Sequence, residues 1–507
     1  MSARAIMLLG TASHVGKSVL AAALCRILAD DGYRVAPFKA QNMSLNSAPT
    51  PDGREIGRAQ AMQAEAARVA PAVEMNPILL KPTSSSGSQV VLMGRVHGVE
   101  GAAEYHRRRV EQYFPIVVEA YRSLAAKHDV IVIEGAGSPA EINLKATDIV
   151  NMRVAHAADA RCLLVGDIDR GGVFAALLGT LALLDPAERA RVHAFAINKF
   201  RGDLSLLAPG VEEIERRIHV PCAGVVPWLA DLGLDEEDSV ALEDAPRIRA
   251  RAWNGTALGA ARPLRVAVIA LPYLSNATDF AALACEPSIE LAYAEGAQDL
   301  AAADLVILPG TKNTLEGLGW LRATKLAEAI GAFAARGPIF GICGGLQILG
   351  RTIADPHGVE GGGSAQGLAL LPLDTVLTPQ KVTQSVRVRP RNGALFGMTT
   401  GELSGAGYEI HMGRSTTEHD MFALLERENG ELVADGAVSR DRRVAGTYVH
   451  GMFSGDELRH AFIRAARAAC GLHPPDELMP HGAEREARFS RLANHVRGAL
   501  DLRLLLP

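Results

Sequence analysis

Short apolar runs alternate with longer segments of helical period along most of the chain. The runs Ala5–Leu9, Val35–Phe38, Asp129–Ile133, Arg161–Val165 and Ala194–Ile197 predict strands. The segments Lys17–Asp30 and Ala103–Lys127 between them predict helices. Short apolar runs alternating with longer helices point to a mostly parallel sheet covered on both faces. An acidic stretch, Asp235-Glu236-Glu237-Asp238, is followed by an irregular Arg/Gly/Ala-rich segment from Arg247 to Pro263, expected to be a linker. A second strand series then runs through Arg265–Ala270, Ile289–Ala294, Asp304–Leu308 and Ile339–Ile342 to a late strand, Ala445–Val449. Glu360-Gly361-Gly362-Gly363-Ser364 is expected to be a loop, and the final stretch helical. The fold class that follows is α/β with two doubly wound, mostly parallel-sheet domains. The expected division is 1–235, a linker 236–262, a second domain 263–455 and a helical extension 456–507.

Composition narrows the function classes. A chain of 507 residues buries large cores without disulfides. A formal net charge of −5 argues against a general affinity for nucleic acid. Six scattered cysteines with no C-x-x-C pair fit neither a disulfide framework nor a zinc ribbon. No apolar stretch approaches the ~18 residues that span a bilayer, and the first apolar run is too short for a secretory leader. The expectation is a cytoplasmic protein with no membrane partner.

The first predicted strand ends in Gly10-Thr11-Ala12-Ser13-His14-Val15-Gly16-Lys17-Ser18, and a helix follows. Glycines let backbone amides turn toward a phosphate, and the helix N-terminus adds positive potential. Lys17 is expected on the β/γ-phosphates of ATP and Ser18 on Mg²⁺. Five residues separate Gly10 from Gly16, one more than in the common phosphate loop. Glu134 closes an apolar strand, where a carboxylate that organises a metal belongs. Asp167 and Asp169 end a later strand and either hold metal or orient their loop. Asn198 and Lys199, at the end of another, are positioned for a purine base.

In the second half, Gly341-Ile342-Cys343-Gly344-Gly345-Leu346-Gln347 sits at a strand–helix turn, with the helix expected over Ile348–Thr352. Such a turn exposes a thiol, and the following helix N-terminus favours its thiolate. Backbone amides there, and that of Gly310 at an earlier strand end, are candidate oxyanion donors. A cysteine nucleophile needs a base, and His450 terminates a strand of the same domain. Tyr408-Glu409-Ile410-His411 is a further polar cluster, read either as part of a glutamine pocket or as structure.

These residues carry a resemblance. Gly341, Cys343, Gly345 and Gln347 match the G-x-C-x-G-x-Q pattern of class I glutamine amidotransferases. The lengthened phosphate loop resembles that of dethiobiotin-synthetase-type ATPases. Both halves in this order are similar to the cobyrinate amidotransferases of cobalamin biosynthesis. Supporting segments are Lys39–Asn46, Gly57–Ala61, Leu80–Thr83 and Gly166–Phe174. The resemblance implies a P-loop NTPase-like domain binding ATP and a corrinoid, then a glutaminase domain with glutamine as ammonia donor. Cys343 and His450 would be catalytic, with Gly310, Gly344 and Gln347 at the oxyanion and glutamine sites. The implied substrate is adenosylcobyrinic acid a,c-diamide, amidated at its b, d, e and g carboxylates. Lys39, Gln41, Asn42, Lys81, Arg153 and Arg170 are candidates to meet that polyanion. Ammonia would travel between the sites without protonation. Alternatives are amidation of the a and c carboxylates of the same ring system, or a regulatory ATPase whose second domain is not catalytic. The position two after the histidine, glutamate in most class I enzymes, is Met452 here, which leaves open what orients His450.

Overall fold

The computed structural model describes residues 3–83, 87–229, 233–234, 262–475 and 477–506. It divides into two compact units: Met1–Ser44, Arg54–Glu237 and Arg485–Pro507 form the first, Leu45–Gly53 and Asp238–Glu484 the second. The acidic stretch 235–238 and the expected linker, apart from Arg262, lie outside the described residues.

The first unit is built on a six-stranded parallel sheet. Its order is Cys222–Pro227, Val192–Phe200, Arg161–Asp167, Arg4–Gly10, Val130–Glu134 and Val35–Phe38. The strands are buried on both faces, as their unbroken apolar runs require. One apolar cluster fills each face of the sheet. The first strand leads into the helix Lys17–Asp30 and lies in the middle of the sheet, where the strand order reverses. In open α/β sheets ligands bind outside the carboxyl ends of strands at such a switch point. Gly10, Glu134, Asp167 and Asn198 all stand at those carboxyl ends.

The segment expected as one helix over Ala103–Lys127 is three: α-helical Ala102–Arg108, a π-helical turn Arg109–Tyr113, and α-helical Phe114–Ala125. A four-stranded sheet absent from the sequence reading pairs Gln41–Met43, Ile78–Pro82, Gly87–Leu92 and Arg95–Gly101 in that order.

The second unit has a parallel sheet in the order Ile289–Ala294, Leu264–Ile269, Leu305–Leu308, Ile339–Ile342 and Val444–Thr447, extended by antiparallel Ala437–Val438. Its helix after Cys343 runs Gly344–Leu349, earlier than expected, and Thr352 already begins the strand Thr352–Asp355. Gly363 and Ser364, expected in a loop, open the strand Gly363–Gln366. That strand belongs to a second, largely antiparallel sheet, whose long members are Leu373–Pro390 and Gly405–Thr417. Phe340 anchors the core through edge contacts with Phe396, Phe422 and Phe462. The helical end of the chain is shared: Asp456–Ala469 belongs to the second unit, and Arg485–Pro507 to the first.

Candidate active site

In the first unit the phosphate loop closes on itself. Gly16 caps the helix at φ 96°, a left-handed conformation that glycine adopts without strain. Thr11 donates its amide to the Val165 carbonyl at 3.0 Å. The Lys17 ammonium is buried and donates to the carbonyls of Ala12 and Gly137, each at 3.1 Å. A Cβ on Gly10 would come within 2.7 Å of that ammonium. The Ser18 hydroxyl donates to Glu134 Oε1 at 2.8 Å. Glu134 is buried and also accepts from Lys39 Nζ at 2.9 Å and Gln63 Nε2 at 2.6 Å.

Asn198 packs beneath the loop, donating Nδ2 to the Val15 carbonyl at 2.8 Å. Lys199 donates to the His14 carbonyl and to Asp167 Oδ2, both at 2.7 Å. Asp167 accepts the Asp169 amide at 2.9 Å, so its carboxylate orients its own turn. No group of three His, Cys, Asp or Glu side chains suited to a metal occurs among the described residues.

The candidate substrate residues are dispersed within this unit. Lys39 sits on Glu134, and Lys81 forms a buried ion pair with Glu55. Gln41 accepts the Tyr105 hydroxyl at 2.6 Å, and buried Asn42 donates to Gln60 at 2.9 Å. Arg153 donates Nε to the Asp148 carbonyl at 2.8 Å, and Arg170 is exposed on a turn.

In the second unit the elbow is strained. Cys343 has φ 50° and ψ −107°, outside the regions a side-chain-bearing residue prefers. Its amide donates to the Thr447 carbonyl at 2.8 Å, tying the turn to the strand Val444–Thr447, which leads into the next short strand, Val449–His450. Its sulfur lies 3.8 Å from the Ile410 carbonyl. The helix then packs so tightly that a Cβ on Gly345 would lie 2.0 Å from the Leu308 carbonyl oxygen. The amides of Gly344 and Gly345 belong to the first helical turn, which leaves such donors without intrahelical partners.

His450 is 1% exposed. Its Nδ1 lies 2.7 Å from Asp279 Oδ2, and Asp279 Oδ1 accepts the Gly451 amide at 2.8 Å. His450 Nε2 is buried and makes no hydrogen bond. Burial disfavours the charged ring, but Asp279 and the Cys343 sulfur outweigh it and push the imidazole up to about 10. The thiol and the imidazole are therefore electrostatic neighbours, with Asp279 fixing the ring from the far side. Tyr408 stacks on His450 with ring centroids 5.6 Å apart. A Cβ on Gly310 would meet the His450 ring at 2.9 Å, which puts this backbone at the same centre.

Gln347 is buried; it accepts from the Thr314 hydroxyl at 2.9 Å and donates to the Tyr448 hydroxyl at 3.2 Å. Thr314 donates its amide to Glu360 at 2.6 Å, and burial raises the Glu360 pKa to about 7. His411 stacks on Tyr448 at 4.0 Å and bonds Glu409, which also accepts from Arg427. Asp279 was missed by the sequence reading. Its only signal there is an acidic residue shortly after the carboxyl end of the first strand of the second series, where sites of α/β sheets form.

Residues 6–240 match the CobQ/CobB/MinD/ParA nucleotide binding domain, and residues 265–458 the CobB/CobQ-like glutamine amidotransferase domain. The chain is 52% identical to a cobyric acid synthase of Moorella thermoacetica, covering 99% of this chain and 96% of that one. It is 50% identical to that of Sorangium cellulosum, covering 100% and 98%, and 48% identical to that of Salmonella agona, covering 98% and 97%.

Proposed function

Because the chain belongs to the cobyric acid synthase family, glutamine-dependent amidotransferase ligases of cobalamin biosynthesis, we propose that it uses ATP to amidate the b, d, e and g carboxylates of adenosylcobyrinic acid a,c-diamide, giving adenosylcobyric acid. No helix among the described residues is long and apolar enough to cross a membrane. The free cysteines suit a reducing cytoplasm, where we place the reaction.

A carboxylate resists nucleophiles because its charge and resonance oppose attack. Transfer of the γ-phosphoryl group of ATP to one carboxylate oxygen releases ADP and leaves an acyl phosphate. Ammonia adds to that carbonyl, phosphate leaves and the amide remains. Lys17, pinned at the mouth of the loop, neutralises charge on the phosphates. Asn198 braces the loop against the base side. Ser18 and Glu134 would hold magnesium: a hydroxyl and a carboxylate are the hard oxygen donors that ion takes, and here they are already in contact at 2.8 Å. When bound it would neutralise charge developing on the phosphate oxygens. Lys39 and Gln63 hold Glu134 in place for it.

In the second unit Cys343 attacks the side-chain amide carbon of glutamine. The Gly344 and Gly310 amides receive the oxyanion. His450 passes its proton to the departing nitrogen, and a γ-glutamyl thioester and ammonia result. Water, deprotonated by His450, then releases glutamate and restores the thiol. Asp279 positions the ring throughout. Gln347 braces the elbow through Thr314 and Tyr448.

The observation that carries this reading is one chain holding both a closed phosphate loop, with Lys17, Ser18 and Glu134 in contact, and a buried Cys343–His450–Asp279 centre. Mass spectrometry of the corrinoid product tests it. Wild type adds four amides from glutamine. With ammonia supplied instead, Cys343→Ser still amidates and Lys17→Ala does not. Amidation by Lys17→Ala at the wild-type rate would overturn the reading.

A further inference from the structure

Beside the phosphate loop, the first unit contains a cavity of about 590 Å³, and of the candidate substrate residues it takes Arg153 into its lining. Gly137 lies in its wall, and the Gly137 carbonyl is one of the two that hold the Lys17 ammonium. The cavity therefore adjoins the place where the γ-phosphoryl group is expected. Its neighbouring wall is rigid. Asn151 accepts the Ala136 amide at 3.1 Å and donates to the Ala136 carbonyl at 2.8 Å, fixing the segment that follows Glu134.

Arg109 lines this cavity and is 6% exposed. Its Nη2 donates to Thr147 Oγ1 at 2.6 Å, but its Nε is buried and makes no hydrogen bond. No carboxylate forms an ion pair with it among the described residues. Burial accordingly lowers its affinity for a proton. The Asp148 carboxylate acts on it only through space, and a buried guanidinium without a paired counter-ion is costly, a cost that falls when an anion enters. Arg109 also opens the π-helical turn Arg109–Tyr113, a distortion that re-aims side chains and is frequent at functional sites.

We propose that this cavity is the acceptor subsite, and that Arg109 binds a carboxylate arm of the corrinoid there, beside the phosphoryl group that activates it. The assignment rests on the corrinoid reading above. A volume of this size, within the usual ~300–1,000 Å³ of small-molecule sites, takes an edge of the macrocycle with its acid arms. The guanidinium supplies charge and a forked donor face suited to carboxylate. Three carboxylates line the same cavity: Asp148 accepts the Val150 and Asn151 amides, Glu188 pairs with Lys145, and Glu141, exposed, carries charge that repels such a ligand.

The test uses the full chain with ATP and ammonia, reading amide formation against corrinoid concentration. Arg109→Lys keeps the charge and loses the Nε donor. It should raise the corrinoid KM by about 10- to 100-fold, as loss of a hydrogen bond to a charged group does, with the KM for ATP unchanged. Glu141→Gln, at an exposed position that leaves folding intact, should lower the corrinoid KM by about two- to fivefold at low salt. An unchanged corrinoid KM in a folded Arg109→Lys, or a parallel rise in the KM for ATP, would overturn the subsite. If Arg109→Lys does not fold, Glu141→Gln decides alone: a lower KM supports the subsite and an unchanged one overturns it. Failure of the wild type to amidate the corrinoid would instead sink the corrinoid reading itself.

Discussion

A histidine as deeply buried as His450 ordinarily gives up its proton, because burial disfavours charge. Here Asp279, 2.7 Å from Nδ1, and the neighbouring Cys343 reverse that balance. In the mechanism proposed above, a ring that keeps its proton is suited to donate it to the leaving nitrogen. Asp279→Asn keeps the shape and removes the charge. It should reduce glutamine-driven turnover by about 10²- to 10⁴-fold, leave ammonia-driven amidation intact, and spare the KM for glutamine. The same pair predicts a pH dependence of stability. The folded-state pKa, about 10, lies above the ordinary 6.5. The stabilisation is therefore fully present below pH 6.5 and is lost as pH rises through 10. Denaturant titrations across that window should show a decline in wild type that is largely missing in Asp279→Asn. Equal slopes would mean that Asp279 does not govern the ring.

At the scale of elements, the elbow depends on how closely its helix approaches the neighbouring strand. A Cβ on Gly345 would lie 2.0 Å from the Leu308 carbonyl oxygen, a backbone atom that cannot step aside. Gly345→Ala should cost about 1–3 kcal/mol and abolish glutamate release. Gly319, within the helix Thr314–Ala323, has open space where its Cβ would be. Gly319→Ala should therefore stabilise by about 0.4–1 kcal/mol. Thermal melts and glutaminase assays of the two variants separate the effects, and similar behaviour would refute the packing argument. The two parallel sheets were legible in the sequence because a strand buried on both faces is apolar throughout. The antiparallel sheet was not. Leu373–Pro390 buries alternate residues only near its ends, and its pairing shifts register between Leu377 and Val382, around Pro379. The start of the helix after Cys343 was hidden by two glycines, which read as a turn although the elbow needs them for contact. Cys343, His450 and Lys17 were legible from their neighbours. Asp279 was not, because the histidine it supports is 171 residues away in sequence.

At the scale of the whole molecule, the end of the chain serves its beginning. Arg485–Pro507 belongs to the first unit, with Phe489, Leu492 and Val496 in the same apolar cluster as Leu20, Leu24 and Leu28 of the phosphate-loop helix. Arg26 on that helix is buried and held by Glu486 and Asp30. An Arg- and Ala-rich pattern announces an amphipathic helix but not the surface that receives it, so this destination could not be read from the sequence. The consequence is that a lesion near residue 490 should damage nucleotide chemistry although the glutaminase centre lies nearer in sequence. Leu492 is 2% exposed, and Leu492→Ala should cost the first unit about 2–5 kcal/mol, transfer and cavity terms together. On stepwise heating of that variant, ATP-dependent amidation with ammonia should fail at a lower temperature than glutamate release from glutamine. In the wild type the gap between the two temperatures should be smaller. If the substitution lowered both temperatures equally, or lowered only that of glutamate release, the terminal helix would not be the support of the phosphate-loop helix that its packing indicates.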